Sequence, residues 1–324
     1  MILDIVYLVL GLGLILWGAN ALTDGSSAIA RKWGVSDLVI GLTVVAFGTS
    51  APELTISIIS ALNGSAEMAI GNVVGSNIFN VLVIIGVTAM VVPIRIEKSI
   101  MTNEIPLVIL SALALLAMGN GPWLDGEATP LLSRVDGIIL LLFFLIFMRY
   151  TFSQARDTQG SDPSADAGAE KKEMAIWKAV LWVVLGLGAL ILGGDRFVAG
   201  ASGIASGLGV SEAVIGLTVV AAGTSLPELA TSVTAAIKGK PGIALGNVIG
   251  SNIFNIFLVL GTSATIKPLT FGSIGNLDLM VLTGACLMFW IFGWFFRQRT
   301  ITRIEGAVLA LCYVAYIVVL IAKS

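Results

Sequence analysis

Two short stretches of this 324-residue chain carry most of its potential chemistry, and they are near copies of each other. Residues 41–58 read GLTVVAFGTSAPELTISI and residues 216–233 read GLTVVAAGTSLPELATSV, identical at 13 of 18 positions at an offset of 175. Residues 71–80 (GNVVGSNIFN) recur as residues 246–255 (GNVIGSNIFN) at the same offset, with one conservative change. The repeated positions include the most polar residues of otherwise apolar runs. Glu53 and Glu228 lie well inside such runs. An ionisable side chain in mid-membrane costs at least about 2.5–3.5 kcal/mol on insertion scales, and it marks function unless it is paired. Neither stretch contains Lys or Arg, so a structural ion pair has no obvious partner.

The neighbours of each glutamate define its chemistry. Pro52 and Pro227 offer no N–H to the carbonyls of Gly48 and Gly223, which predicts a local break in the helix. Backbone carbonyls over 46–50 and 221–225 can then turn toward a cavity, where irregular backbone is tolerated at membrane depth. On the second repeated stretch Asn72, Ser76 and Asn80 recur every four residues and share a helix face. Asn247, Ser251 and Asn255 do likewise, with Asn77 and Asn252 close to that face. Interhelical hydrogen bonding is the competing role for these asparagines. The combined donor set is two carboxylates, amide oxygens, hydroxyls and carbonyls, without sulfur or imidazole. All-oxygen sites select hard cations, and Ca²⁺ takes six to eight such ligands. Two carboxylates neutralise one Ca²⁺ or two monovalent cations but not both loads, and such competition is the physical basis of antiport.

The elements that must position these groups follow from composition. Hydrophobic residues make up 57% of the chain and charged residues 12%, and the mean hydropathy is +0.99. That is roughly half the charge of a typical soluble domain at about 25%, which excludes an aqueous globular fold and intrinsic disorder. The balance of 18 basic and 20 acidic residues gives no polyanion signature, so nucleic acid is not an expected partner. The absence of histidine removes Ser-His-Asp hydrolysis and His-ligated zinc, and no enzyme chemistry is expected. Cys286 and Cys312 sit inside apolar runs as small hydrophobes. Apolar runs long enough to cross a bilayer predict ten spans, over 5–22, 37–62, 69–92, 103–118, 131–148, 176–193, 211–237, 243–266, 277–296 and 304–321. The first lacks a basic flank and a cleavage site, and is expected to be retained.

Five spans fall in residues 1–150 and five in 176–324, joined by a polar linker over 151–175. An odd number per half makes the second half start from the opposite membrane face. The expected fold is therefore an all-α membrane protein of ten transmembrane helices as two inverted five-helix repeats. In transporters of that kind the substrate sits at mid-depth between discontinuous helices of both halves. Placing both termini outside puts 14 of the 18 basic residues in cytoplasmic connections, with the linker. The positive-inside rule favours that orientation in the cell membrane.

At these residues the sequence resembles the cation/calcium antiporter superfamily, in its sodium/calcium exchanger branch. The two α-repeats of that family are matched by residues 48–53 with 75–80 and by residues 223–228 with 250–255. The resemblance implies that Glu53 and Glu228 are central ligands shared by Ca²⁺ and Na⁺. It implies that Thr49, Ser50, Thr224 and Ser225 line flanking Na⁺ positions with the carbonyls of Ala46 and Ala221. Ser76 and Ser251 would add hydroxyls, and Asn80 and Asn255 the middle of the site. Na⁺ would run down its gradient as Ca²⁺ leaves, and the first and sixth spans would slide against the remaining bundle. Ca²⁺ and Na⁺ are then substrates in a lipid bilayer, with no cofactor, and no second subunit is required. Relatives that carry Asp at one or both positions held by Asn80 and Asn255 differ here, which weakens the case for K⁺ co-transport. The linker is too short for the large Ca²⁺-sensing domain of animal exchangers, which points to a prokaryotic origin.

Within the same superfamily the alternative is Ca²⁺/H⁺ exchange at the two glutamates. The Gly-Thr-Ser turns favour sodium, because protons need no extra oxygen ligands. A cation channel would need a continuous pore, and an intramembrane protease would need histidine or paired mid-span aspartates, which Asp24 and Asp195 near span ends do not supply.

Overall fold

The computed structural model describes residues 2–124, 126, 129–157, 174–208, 223–295 and 299–323. The first helix, α1 (Ile2–Trp33), is longer at both ends than the expected 5–22. Its polar second half stays helical and is largely buried against neighbouring helices. Asn20 Nδ2 donates to Leu16 O at 2.8 Å and Thr23 Oγ1 to Ala19 O at 2.7 Å. Gly34 at φ 65° ends the run, the left-handed conformation that suits a residue without a Cβ. Its counterpart in the second half, α7 (Ile176–Gly207), also outruns the expected 176–193.

These two helices lie against each other along most of their lengths. Gly11 meets Gly193, Gly18 meets Gly186, Gly25 meets Ala179, and Gly200 meets Leu8. Numbers rise on one helix as they fall on the other, so the pair is antiparallel. Small residues let the backbones approach this closely, and Leu3, Val9, Leu10, Val184 and Leu185 are exposed on the outward faces.

The chain then forms α2 (Asp37–Thr49) and α3 (Ala51–Leu62), bent by 46° at Ser50, followed by α4 (Ala66–Val91) and α5 (Ile100–Met118). Helix α6 (Arg134–Asp157) follows, then α7, α8 (Leu226–Ile237), α9 (Pro241–Ile266), α10 (Asn276–Phe295) and α11 (Arg303–Lys323). Helix α6 runs past residue 150, so residues 151–157 are helical rather than linker. No Gly or Pro interrupts the sequence before Gly160, and the polar residues there do not stop a helix. Among the described residues eight helices are long and apolar enough to cross a membrane, and the bent pair α2–α3 makes a ninth. The expected span 211–237 is described only in its second part, α8, because residues 209–222 lie outside the described residues, as does most of the linker.

Helices α9 and α4 are central, with 94% and 78% of their most apolar windows buried, whereas α11 has 11%. Two apolar clusters result. The larger joins α2 to α6 with α9 to α11, with Leu229 of α8 packed against it, and draws no residue from α1 or α7. The smaller joins α1 and α7, through Ile15, Leu22, Val183 and Leu190, to Ile40, Val45 and the facing ends of α8 and α9. Two short antiparallel clips tie the halves together. Strand β1 (Ile94–Arg95) pairs with β4 (Thr300–Ile301), and β2 (Leu131–Leu132) with β3 (Leu269–Thr270).

Candidate cation-binding site

Both glutamates are set by the same local device. Ser50 (φ −83°, ψ 4°) and Ser225 (φ −92°, ψ 6°) leave the helical conformation, and α3 and α8 restart with proline in the first turn. Proline is tolerated there because that N–H has no intrahelical acceptor. Glu53 and Glu228 are each the third residue of the restarted helix, at its positive end. Both are 1% exposed. The chain winds more loosely at the facing asparagines, with π-helical turns over Asn80–Ile84 and Phe254–Leu260, a distortion common at functional sites.

The hydroxyls cross between the repeats. Ser50 Oγ donates to Glu228 Oε1 at 3.5 Å, and Thr49 also lies beside that carboxylate. Conversely, Thr224, Ser225 and Ser76 lie around Glu53, without a geometrically complete hydrogen bond to it. Because Ser50 and Glu53 lie on the same bent segment, the Ser50 contact brings Glu228 close to the turn that precedes Glu53. The sequence placed each Gly-Thr-Ser turn beside the glutamate that follows it. The fold instead brings each turn to the glutamate of the other half.

The asparagines divide into two functions. Asn72 Nδ2 donates to Glu53 O at 3.2 Å and to Ser57 Oγ at 3.0 Å. Asn247 repeats this with Glu228 O at 3.1 Å and Ser232 Oγ at 3.0 Å, and its Oδ1 accepts from Thr49 at 3.0 Å. These two brace the restarted helices. Nearer the centre, Asn80 Nδ2 donates to Asn252 Oδ1 at 3.2 Å and Asn255 Nδ2 to Asn77 Oδ1 at 3.0 Å. The amide nitrogens of Asn80 and Asn255 are thereby used.

What remains is a set of buried oxygens without hydrogen-bond partners: both oxygens of Glu53, Glu228 Oε2, Thr224 Oγ1, Ser225 Oγ, Ser251 Oγ, Asn80 Oδ1 and Asn255 Oδ1. Buried polar atoms are rarely left unpaired, and an unpaired buried carboxylate is very costly. Their common character is oxygen, which suits a hard cation. Ser76 is 4% exposed and lies beside Glu53. The Ala46 carbonyl already accepts from Ser50 N at 3.0 Å. A cation there would use what coordination that oxygen retains. Ala221 lies outside the described residues.

Ser57 and Ser232 were missed by the sequence reading, although both fall on an identical position of the repeat. Glu104 was missed as well. It is fully buried in α5 and accepts from Tyr150 Oη and Gln154 Nε2, both at 2.9 Å. Its only signal was a carboxylate inside the expected span 103–118, and the aligned position is Leu279.

Comparisons with known proteins fit this arrangement. The family model described as sodium/calcium exchanger protein matches residues 3–153 and 178–322. The sodium/calcium exchanger MaX1 of Methanosarcina acetivorans is 34% identical over 345 residues, covering 97% of each chain. The inner membrane protein YrbG of Escherichia coli is 36% identical over 272 residues, covering 83% of this chain and 81% of its own. Among solved structures, the sodium-calcium exchanger NCX_Mj soaked with zero Na⁺ and Ca²⁺ has a TM-score of 0.83 at 33% identity, over 98% of this chain and 99% of that one. The chain belongs to the sodium/calcium exchanger family and is a multi-pass membrane antiporter, not an enzyme.

Proposed function

We propose that the chain exchanges Na⁺ for Ca²⁺ by alternating access, the ions competing for the site around Glu53 and Glu228. The observation that carries this reading is that two buried carboxylates, each with oxygens lacking a hydrogen-bond partner, have hydroxyls of the other repeat beside them. Thr49, Ser50, Thr224, Ser225, Ser76, Ser251, Asn80, Asn255 and the Ala46 and Ala221 carbonyls complete the proposed ligand set. No group of three or more His, Cys, Asp or Glu gathers among the described residues. A site with only two formal charges binds less tightly than a dense carboxylate cage, which suits an ion that must leave again. Either one Ca²⁺ or two Na⁺ balances the two carboxylates, and a third Na⁺ would rest on neutral oxygens and make exchange electrogenic.

Ca²⁺/H⁺ exchange is the competing reading, and the crosswise hydroxyls favour sodium. Thr224 and Ser225 keep buried oxygens free beside Glu53; a proton needs none of these, whereas a dehydrated Na⁺ needs several. In proteoliposomes an imposed Na⁺ gradient is expected to drive Ca²⁺ flux with the pH clamped. Flux that follows only a pH gradient would assign protons instead.

Ten spans in two inverted repeats, residues 1–150 and 176–324, is the topology that this function uses. The antiparallel α1–α7 pair is what inversion requires of equivalent helices. The β-clips support the count by parity. Each joins two loops, so the loops of a pair share a membrane face. From β2 to β3 the chain passes through α6, α7, the segment ending in α8, and α9. Those loops share a face when that number of crossings is even, which agrees with a count of ten. The absence of α1 and α7 from the larger apolar cluster supports a bundle against which that helix pair slides.

The excess of basic residues in one set of loops supports external termini and a cytoplasmic linker over 151–175. A Ser161→Cys variant, with Cys286 and Cys312 replaced by serine, should react with a membrane-impermeant maleimide only after cells are opened. Labelling of intact cells would reverse the orientation.

A further inference from the structure

We propose that Asn77 is a positioning residue that fixes which atom of Asn255 faces the ions; this rests on the reading that the site around Glu53 and Glu228 holds the transported cation. An asparagine amide has an acceptor end and a donor end of nearly the same shape. A cation site needs the acceptor end, because an amide N–H turned toward a cation repels it. Something must therefore set the flip of Asn255.

The hydrogen bonds form a directed chain. It starts at the backbone carbonyl of Asn252, an acceptor that cannot exchange roles. Asn77 Nδ2 donates to that carbonyl at 3.1 Å, which turns Asn77 Oδ1 the other way. Asn77 Oδ1 in turn accepts from Asn255 Nδ2 at 3.0 Å, which leaves Asn255 Oδ1 as the free end. That oxygen is buried and has no protein partner. All three residues are at most 1% exposed, so water does not relax the constraint. The pair related by the repeat, Asn80 Nδ2 to Asn252 Oδ1 at 3.2 Å, leaves Asn80 Oδ1 free in the same way.

The brace also constrains charge. An aspartate at position 255 has no N–H, so a carboxylate oxygen would oppose Asn77 Oδ1 where a donor now sits. Asn77 thus favours a neutral residue at 255 and keeps the site at two carboxylates. A carboxylate has oxygen at both ends and needs no partner to orient it. Asn77 should therefore matter to Asn255 and not to an aspartate in its place.

A double-mutant cycle of Asn77→Leu and Asn255→Asp tests this, read as the Ca²⁺ concentration that half-saturates ⁴⁵Ca²⁺ uptake into proteoliposomes. Asn77→Leu alone is expected to raise it roughly tenfold or more, the scale of losing a buried hydrogen bond and its orientation. Asn255→Asp should be more favourable, by about tenfold, in the Asn77→Leu background than in the native one. Such coupling is expected only of sites that interact. Additivity within about twofold, or a native half-saturation in Asn77→Leu, overturns the proposal, since a merely structural role would lower maximal rate and thermal stability without coupling. If Asn77→Leu fails to fold, the same cycle run with Asn77→Ser decides. Glu53→Gln run in parallel separates the two ideas: uptake in that variant would refute the ion site itself, whereas its loss alongside an additive cycle refutes only the brace.

Discussion

Glu53→Gln and Glu228→Gln are each expected to abolish Ca²⁺ exchange while the protein still inserts and folds. The substitution keeps the shape of the side chain and removes one of the two charges in the site. At an effective dielectric of about 20, a unit-charge pair about 4 Å apart is worth about 4 kcal/mol, and a divalent ion doubles that. Desolvation of Ca²⁺ is no longer balanced, and a loss of several powers of ten in affinity takes uptake below detection. Folding survives because neither carboxylate is a keystone of the hydrogen-bond network: Glu53 has both oxygens unpartnered, and Glu228 has one. The backbone carbonyls of both residues keep their bonds to Asn72 and Asn247. Single hydroxyl deletions such as Ser50→Ala should be milder, since each removes one neutral ligand. The decisive comparison is ⁴⁵Ca²⁺ uptake beside gel-filtration behaviour and thermal midpoint in detergent. Near-native uptake in either glutamine variant would remove that glutamate from the centre of the site.

How much of this was legible beforehand follows from what a sequence encodes locally. The repeat, the two glutamates and the helix breaks were legible, because each depends on residues adjacent in the chain. Ser50 and Ser225 interrupt their helices next to Pro52 and Pro227 as those prolines predict. The lengths of α1 and α7 were not legible from hydropathy. Residues such as Asn20 and Thr23 look like a span end, yet they bond to their own backbone and leave small residues to pack against the partner helix. Partner choice was the deeper gap. That Ser50 serves Glu228, or Asn77 serves Asn255, is a fact about contacts 178 residues apart, and no local pattern contains it. The repeat offered the one available hint. Two halves that carry the same polar groups can pair them crosswise, as Ser50 does with Glu228. Glu104 shows the reverse limit: a buried carboxylate with no repeated counterpart is invisible to a search for self-similarity, although its burial is complete.

Gly18→Leu and Gly193→Leu should uncouple the α1–α7 pair, whereas Gly13→Leu and Gly188→Leu should not. All four are glycines of the aligned pattern, and by sequence they are equivalent. Their surroundings separate them. A Cβ on Gly18 would sit 2.7 Å from Gly186 O and 2.9 Å from Leu190 N; one on Gly193 would sit 2.9 Å from Gly11 O and from Ile15 N. These obstacles are backbone atoms, so no rotamer change relieves them, and the helices must part. Gly13 and Gly188 would meet nothing within 4 Å. Overpacking a tight contact costs about 1–3 kcal/mol, and for a domain of some 150–250 residues each kcal/mol lowers the thermal midpoint by roughly 2–4 °C. Separation along this seam also loosens the apolar cluster that α1 and α7 share through Ile15, Leu22, Val183 and Leu190. If the pair slides as one body during exchange, the clashing variants should lose at least about tenfold in uptake rate, beyond any fall in the amount of folded protein. The control glycines should stay within about twofold. Stability loss without a matching loss of rate per folded molecule would leave the seam as packing alone. Equal rates in all four variants would remove the requirement that the two helices move together, and with it the division of the molecule into a sliding pair and a fixed bundle.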